Sequence, residues 1–380
     1  MGTTELIVVG VLNLIADDLA VSISTAGQLV AAYALGISIG APILTALTSR
    51  VDRRFLLRLS LAAFVAGNIL AVAAVGFDML VVARVLTGSL HGLFIAVAFV
   101  AAAALVPADR QGSAMSIVIG GIAVSTVVGV PLGTLIGQVL GWRAAFIAIV
   151  ILGAGALVST LTFVPNITGR GRGGFGAQAR AALAPRVLAM LAVGLLLLGG
   201  QFTALTYLAP YLAEVTGISG GVLSGFLLAF GVATAAGSFL GGRAADRSPA
   251  TALIAANGLL VLALGALYLV GSSPVLVVVA LTAWGLVGFG LVPALQVRVI
   301  SLAGSGGDLG ATLGVSAVNA GIAGGSLIGG WALATGGVDA AVVVAAAICA
   351  LALPATWATR FLKVPAPVSD NAAAAVALAE

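Results

Sequence analysis

VLAMLAVGLLLLGGQFTALTYL, Val187 to Leu208, runs for 22 residues without a charge. As an α-helix rising 1.5 Å per residue it would reach about 33 Å, enough to cross roughly 30 Å of hydrocarbon. Val275 to Val292 reads the same way. Over all 380 residues, 61% are hydrophobic and 7% charged, and the mean hydropathy is +1.25. Soluble domains carry roughly 25% charged residues, so ordinary surface cannot be covered here and lipid is the solvent for most of the chain. In lipid every backbone N–H and C=O needs an internal partner, which leaves helical bundles and closed barrels. A barrel would alternate apolar and polar residues over roughly ten-residue strands, and these runs are too long and too uniformly apolar for that. The chain reads as an all-α membrane protein.

Immediately before that run lies PNITGRGRGGFGAQARAALAPR, Pro165 to Arg186, rich in Gly and Arg and suited to a flexible linker. Breaks of this kind divide the chain into twelve apolar spans at 1–16, 24–48, 55–75, 79–105, 113–139, 144–164, 187–212, 220–242, 250–271, 275–300, 311–335 and 339–358. The predicted organisation is a six-helix half over 1–164, the linker over 165–186, a second six-helix half over 187–358, and a tail over 359–380. Basic residues set the orientation. With the linker in the cytoplasm, inner segments hold Arg50, Arg53, Arg54, Arg58, Arg110, Arg170, Arg172, Arg180, Arg186, Arg243, Arg247, Arg360 and Lys363, 13 of the 16. Outer loops hold only Arg143, while Arg84 and Arg298 fall inside spans. Both termini are therefore expected in the cytoplasm.

The halves repeat. Asp52-Arg53 recurs as Asp246-Arg247, GTLIG at Gly133 as GSLIG at Gly325, and NLIAD at Asn13 as PYLAE at Pro210. Parallel six-span repeats are one plan of secondary transporters. Aligned on the seventh span, the first span should start about a dozen residues upstream of Met1. Residues 1–16 alone give a helix of only about 24 Å. The expectation is twelve transmembrane helices in two six-helix halves, the first helix truncated.

Four segments carry a family resemblance over essentially the whole chain: GTTELIVVGVLNLIADDL at Gly2, AAYALGISIGAPILTALTSR at Ala31, RVLTGSLHGLF at Arg84, and GVPLGTLIGQVLGWRAAF at Gly129. They resemble the major facilitator superfamily, in particular its drug:proton antiporter branch, which includes actinobacterial chloramphenicol exporters and arabinose-type sugar and purine exporters. Asn13 stands where members usually have Pro, and Thr87 where many have Gln. The resemblance implies the major facilitator fold and proton-driven export of a small organic solute across the bacterial cytoplasmic membrane, by a monomer without cofactor. Chloramphenicol-like drugs come first among substrates. The His91-Gly92 pair leans toward sugar or purine exporters. A transport-dead solute sensor, a decayed paralogue and a uniporter are the rivals.

Candidate site residues follow from cost and position. Glu5 is the only acidic residue inside a first-half span, and a charge at the membrane centre costs at least about 2.5 kcal/mol. The resemblance implies that it is the proton-coupling site. Arg84 shares a helical face with Gly88 and His91 at i, i+4 and i+7. Being permanently charged, Arg84 would bias a carboxylate rather than carry the proton, unless it snorkels to the outer interface. His91 could shuttle protons or merely bridge helices. Arg298, at the inner end of the tenth span, is expected to snorkel.

Gly129, Pro131, Gly133 and Gly137 form the fifth-span antiporter motif. Small residues allow close helix approach and Pro131 kinks the span. The resemblance implies a tight contact between halves there, echoed by Gly321, Gly324, Gly325, Gly329 and Gly330 in the eleventh span. The resemblance also makes Asp52, Arg53, Asp246 and Arg247 a charge latch that closes the cytoplasmic side. Tyr33, Asn68, Gln201, Tyr207, Gln296 and Asn319 are candidates to line the solute cavity. The sequence has no phosphate-binding loop, no metal-ligand cluster and no nucleophile–base pair. Charge is scattered through short loops, which excludes a nucleic-acid face. Partners are the solute, protons and the bilayer, and energy would come from a gradient.

Overall fold

A computed structural model of the protein describes residues 1–48, 51–107, 118, 121–122, 124–165, 180–304 and 307–365. Arg50, Arg110, Gly120, Arg170 and Arg172, with most of the linker and the tail beyond 365, lie outside the described residues.

Helices account for the apolar segments in order. The first span is Gly2–Asp18. The second runs from Ile23 to Leu47 and contains a π-helical turn at Gly36–Gly40. Arg53–Val72 and Phe77–Ala104 are the third and fourth. The fifth is described through a π-turn at Ser125–Gly129 followed by Val130–Leu140, and the sixth is Trp142–Phe163. The second half holds Pro185–Glu214, Gly221–Arg247, Pro249–Val270, Pro274–Ala303, Gly307–Gly336 and Val338–Ala358. Among the described residues ten segments are long and apolar enough to cross a membrane. The 17-residue first helix and the apolar Val127–Leu140 complete the series.

Local chemistry starts and stops these helices. The Ser22 hydroxyl accepts from the Thr25 N–H at 3.0 Å and opens the second span. Pro185, Pro249 and Pro274 open the seventh, ninth and tenth spans, where a missing N–H costs nothing. Gly141 and Gly337, at φ +87° and +79°, make turns that a side chain would strain.

Two π-turns have one cause. Pro42 and Pro131 each follow the last glycine of a π-turn by two residues, and neither has an N–H to close the normal ladder. The ring also clashes with the carbonyl four residues back, so the chain widens there by one residue. The Pro131 kink is thus a π-turn. The seventh span breaks at Thr206 and Tyr207, between Pro185–Leu205 and Leu208–Glu214.

Connections alternate between two ends of the bundle. The far end carries residues 19–22, 73–76, 141, 215–220, 271–273 and 337, and the linker end carries residue 248 and the described helix ends at 47, 53, 104, 163, 185, 303 and 307. The second span packs on the eleventh, and the fifth on the eighth, so these pairs join the halves. The sixth, ninth and twelfth spans leave Ile151, Leu152, Leu262, Leu269 and Leu351 about two-thirds exposed or more, a surface suited to lipid.

Candidate functional site: a buried polar cluster and the seam between halves

The fourth span places Arg84, Gly88 and His91 on one face, and all three meet Tyr33 of the second span. Arg84 lies 4.0 Å above the Tyr33 ring, the Tyr33 hydroxyl is 3.0 Å from His91 Nδ1, and Gly88 leaves no room for a Cβ beside the Tyr33 carbonyl. Arg84 is fully buried and does not snorkel. Its guanidinium donates to the backbone carbonyls of Leu29 at 3.2 Å, Thr4 at 2.5 Å and Glu5 at 3.2 Å. One cation therefore ties the first, second and fourth spans together. Among the described residues Glu5 and Arg84 form no ion pair: Arg84 holds the Glu5 backbone carbonyl and not its carboxylate.

A cavity of about 370 Å³ opens beside this cluster, with walls drawn entirely from the first half. Thr4 and His91 line it, and the Thr4 hydroxyl and His91 Nε2 are buried without a hydrogen-bond partner among the described residues. A void of that size with two polar atoms can hold water.

The fifth-span motif makes its close contact elsewhere than expected. Gly129, Gly133 and Gly137 face Thr3, Ile7 and Val11, two rows at four-residue spacing that interlock. Thr3 also donates to the Ser125 carbonyl within the π-turn at 3.1 Å, and Gln138 donates to the Gly10 carbonyl at 3.1 Å. The glycines therefore seat the first span inside its own half. Across the halves the fifth span presents Leu135 to Gly221.

The seam between halves is built from serines. Ser24 Oγ donates to the Gly330 carbonyl at 2.8 Å, Ser326 Oγ to Gly27 at 3.0 Å, and Ser38 Oγ to Ser316 at 2.8 Å. The residue numbers of each pair add to 353 or 354, so one antiparallel register holds along the second and eleventh spans. Tyr207 lies in the same seam: its hydroxyl donates to the Ser326 carbonyl at 2.9 Å and fills space that only Gly27 and Gly330 leave open.

The other sequence candidates separate. Gln201 is fully buried, donates from Nε2 to the Gly288 carbonyl at 3.1 Å and accepts from Trp284 Nε1 at 3.3 Å. Asn68 and Asn319 donate within their own helices, to Phe64 and Val315. Gln296 stands next to Gly314. Asp52 is the N-cap of the third span and accepts from the Phe55 N–H at 2.8 Å, while Asp246 and Arg247 are exposed at the end of the eighth span. Among the described residues Asp52, Arg53, Asp246 and Arg247 form no ion pair in this conformation. Arg298 does not snorkel. It is buried and donates to the carbonyls of Thr359 at 2.6 Å and Leu362 at 3.0 Å, capping the twelfth span.

Sequence reasoning missed the pair at the far end. Arg143 and Trp142 both donate to Asp18 Oδ2, and Arg143 also donates to the Ala74 carbonyl at 3.0 Å. The signal was available: Asp18 and Arg143 both fall in loops at the same end of the predicted bundle.

A sequence profile described as Major Facilitator Superfamily matches residues 1–316. The chain is 40% identical over 340 residues to YtbD, an MFS-type transporter of Bacillus subtilis strain 168, covering 87% of this chain and 85% of that protein. It is 35% identical over 332 residues to a chloramphenicol resistance protein of Streptomyces lividans, covering 86% and 85%. Its fold superposes with a TM-score of 0.78 on a bacterial homologue of the human lysosomal transporter Spinster, solved in an inward-facing, occupied conformation. That match covers 97% of this chain and 96% of the other at 16% identity, a likeness of fold alone.

Proposed function

The chain belongs to the Major Facilitator Superfamily, and we propose that it exports a small organic solute in exchange for protons, an uncharged drug of the chloramphenicol kind first among substrates. The halves rock about the seam, and the linker end faces the cytoplasm of a bacterial cell, as the distribution of Arg and Lys favours. The protein works as a monomer.

One observation carries the coupling. A carboxylate, Glu5, sits on a membrane-spanning helix whose carbonyls at positions 4 and 5 are held by the buried Arg84. A carboxylate in hydrocarbon is costly unless it serves ions or protons. The unpaired Glu5 carboxyl takes up a proton from one side and releases it to the other as the halves exchange conformations. The cavity reaching Thr4 and His91 offers water for that transfer. Arg84 keeps its proton throughout and acts as a fixed counter-charge.

Everted membrane vesicles, acidified inside by respiration, test this reading. Wild-type vesicles should accumulate chloramphenicol, a protonophore should abolish the accumulation, and Glu5→Gln should do the same while leaving protein in the membrane. Accumulation that survives the protonophore would overturn the coupling. The His91-Gly92 pair supports a second reading, a pentose or purine as the solute. Growth inhibition across a drug, pentose and purine panel, with and without expression, separates the two.

A further inference from the structure

Between the halves lies a narrow cleft. The first span brings Leu6 and Val9 to it, the fifth Val130, and the eighth and tenth Phe230 and Phe289. It holds about 30 Å³, room for roughly one water molecule, so a solute enters only as the halves part. Its chemistry is therefore more informative than its present size.

Among the residues lining this cleft Thr234 is the one polar side chain. Thr234 donates its hydroxyl to the Gly231 carbonyl of its own helix at 2.7 Å. Gln201 donates to Gly288 and accepts from Trp284. Held in this way, Trp284 meets Phe230 edge to face at 5.3 Å, and Phe230 meets Phe289 edge to face at 6.1 Å. Phe230 and Phe289 of the second half thus line one cleft with Leu6, Val9 and Val130 of the first. Leu6 and Val9 adjoin Glu5, next to it in sequence and one turn on, so the cleft and the carboxyl share a helix surface.

We infer that this cleft selects uncharged, aryl-bearing solutes and that Phe230 and Phe289 are the residues that set the selection. The inference rests on the exporter reading above and names its substrate class. A ring entering the cleft joins an existing edge-to-face series. A pentose would bring several hydroxyls to a lining whose one polar side chain, Thr234, already donates its proton to Gly231, and each buried hydroxyl without a hydrogen bond is penalised. Gln201 is a positioning residue, acting through Trp284.

The test uses the full chain in liposomes with chloramphenicol and arabinose as probes. Wild-type protein should transport chloramphenicol with the higher kcat/KM. Phe230→Leu and Phe289→Leu should each raise the KM for chloramphenicol about two- to tenfold with little change in kcat. Phe289, only partly buried, keeps the test open if Phe230→Leu does not fold. An arabinose preference in wild type, or unchanged KM in both variants, would overturn the inference. If no probe is transported the exporter reading fails. Quenching of Trp284 fluorescence then still decides the selection: saturable quenching by chloramphenicol but not arabinose, lost in Trp284→Phe, upholds it, and the reverse order or no quenching refutes it.

Discussion

Arg84 is a permanent cation with no exposed surface, and it is tolerated because backbone carbonyls of two other helices and the face of Tyr33 replace its water. A lysine would keep the charge but lose the planar fork that reaches three carbonyls. Arg84→Lys should destabilise the protein by about 2–3 kcal/mol, read as a lower midpoint in thermal unfolding of the purified protein in detergent. Asp18 shows the opposite regime, half-exposed at the far end. Its carboxyl is held below the ordinary carboxylate range, first by the hydrogen bond from Arg143 and then by that from Trp142. A carboxylate favoured in the folded state adds stability above its unfolded value and loses it as pH falls through its folded value. With side chains 38% and 43% exposed, screening limits the pair to about 1 kcal/mol or less. Asp18→Asn should therefore lower the melting temperature by about 1–3 °C at pH 7, and the difference should shrink as pH falls below the ordinary carboxylate range.

At the scale of helices, what a glycine faces decides its worth. A Cβ on Gly241 would lie 1.9 Å from the Gly290 carbonyl oxygen, and one on Gly325 would lie 2.0 Å from that of Gly199. Backbone cannot step aside, so the eighth and tenth spans, and the seventh and eleventh, would be pushed apart. At Gly133 the obstacle is the Ile7 Cδ1 methyl at 2.3 Å, the end of a flexible side chain, and at Gly242 nothing lies within 4 Å. Thermal unfolding of the three alanine variants should rank them accordingly. Gly241→Ala should lose roughly 1–3 kcal/mol, Gly133→Ala less, and Gly242→Ala should be neutral or gain up to about 1 kcal/mol from helix propensity. The π-turns are the other helix-level device. Each lies in a first-half helix that carries the seam, and Pro131→Ala should leave stability equal or higher while slowing transport, measured side by side in vesicles and by melting.

For the whole molecule, the seam must hold and also release. Its three serine–carbonyl bonds are neutral, and such bonds between membrane helices average about 0.6 kcal/mol each. Together they contribute about 2 kcal/mol, enough to bias an equilibrium roughly thirtyfold without locking it. Replacing Ser24, Ser38 and Ser326 by alanine should move the population toward the separated state by that factor. Spin labels at Asp17→Cys and Glu214→Cys, one on each half at the far end, should report it as loss of the short-distance population in a Cys349→Ala background. An unchanged distance distribution would mean that apolar packing alone holds the seam.

The amino-acid sequence by itself determined the solvent, the class of structure, the order of the spans and the division into halves. Burying twenty apolar residues in lipid is a local, additive preference, and each helix closes its own backbone hydrogen bonds. It also marked Glu5, Arg84 and His91, because charge inside a span is rare enough to stand out. What it left open concerned pairs of helices. The fifth-span glycines seat the first span rather than join the halves, Arg298 caps the twelfth span, Asp52 caps the third, and Tyr207 fills the seam. In lipid the hydrophobic effect does not choose among helix neighbours, so partner and register rest on which small residues let backbones approach and which hydroxyl finds a carbonyl across the gap. Those choices depend on residues hundreds of positions apart, and only the tertiary structure decides them.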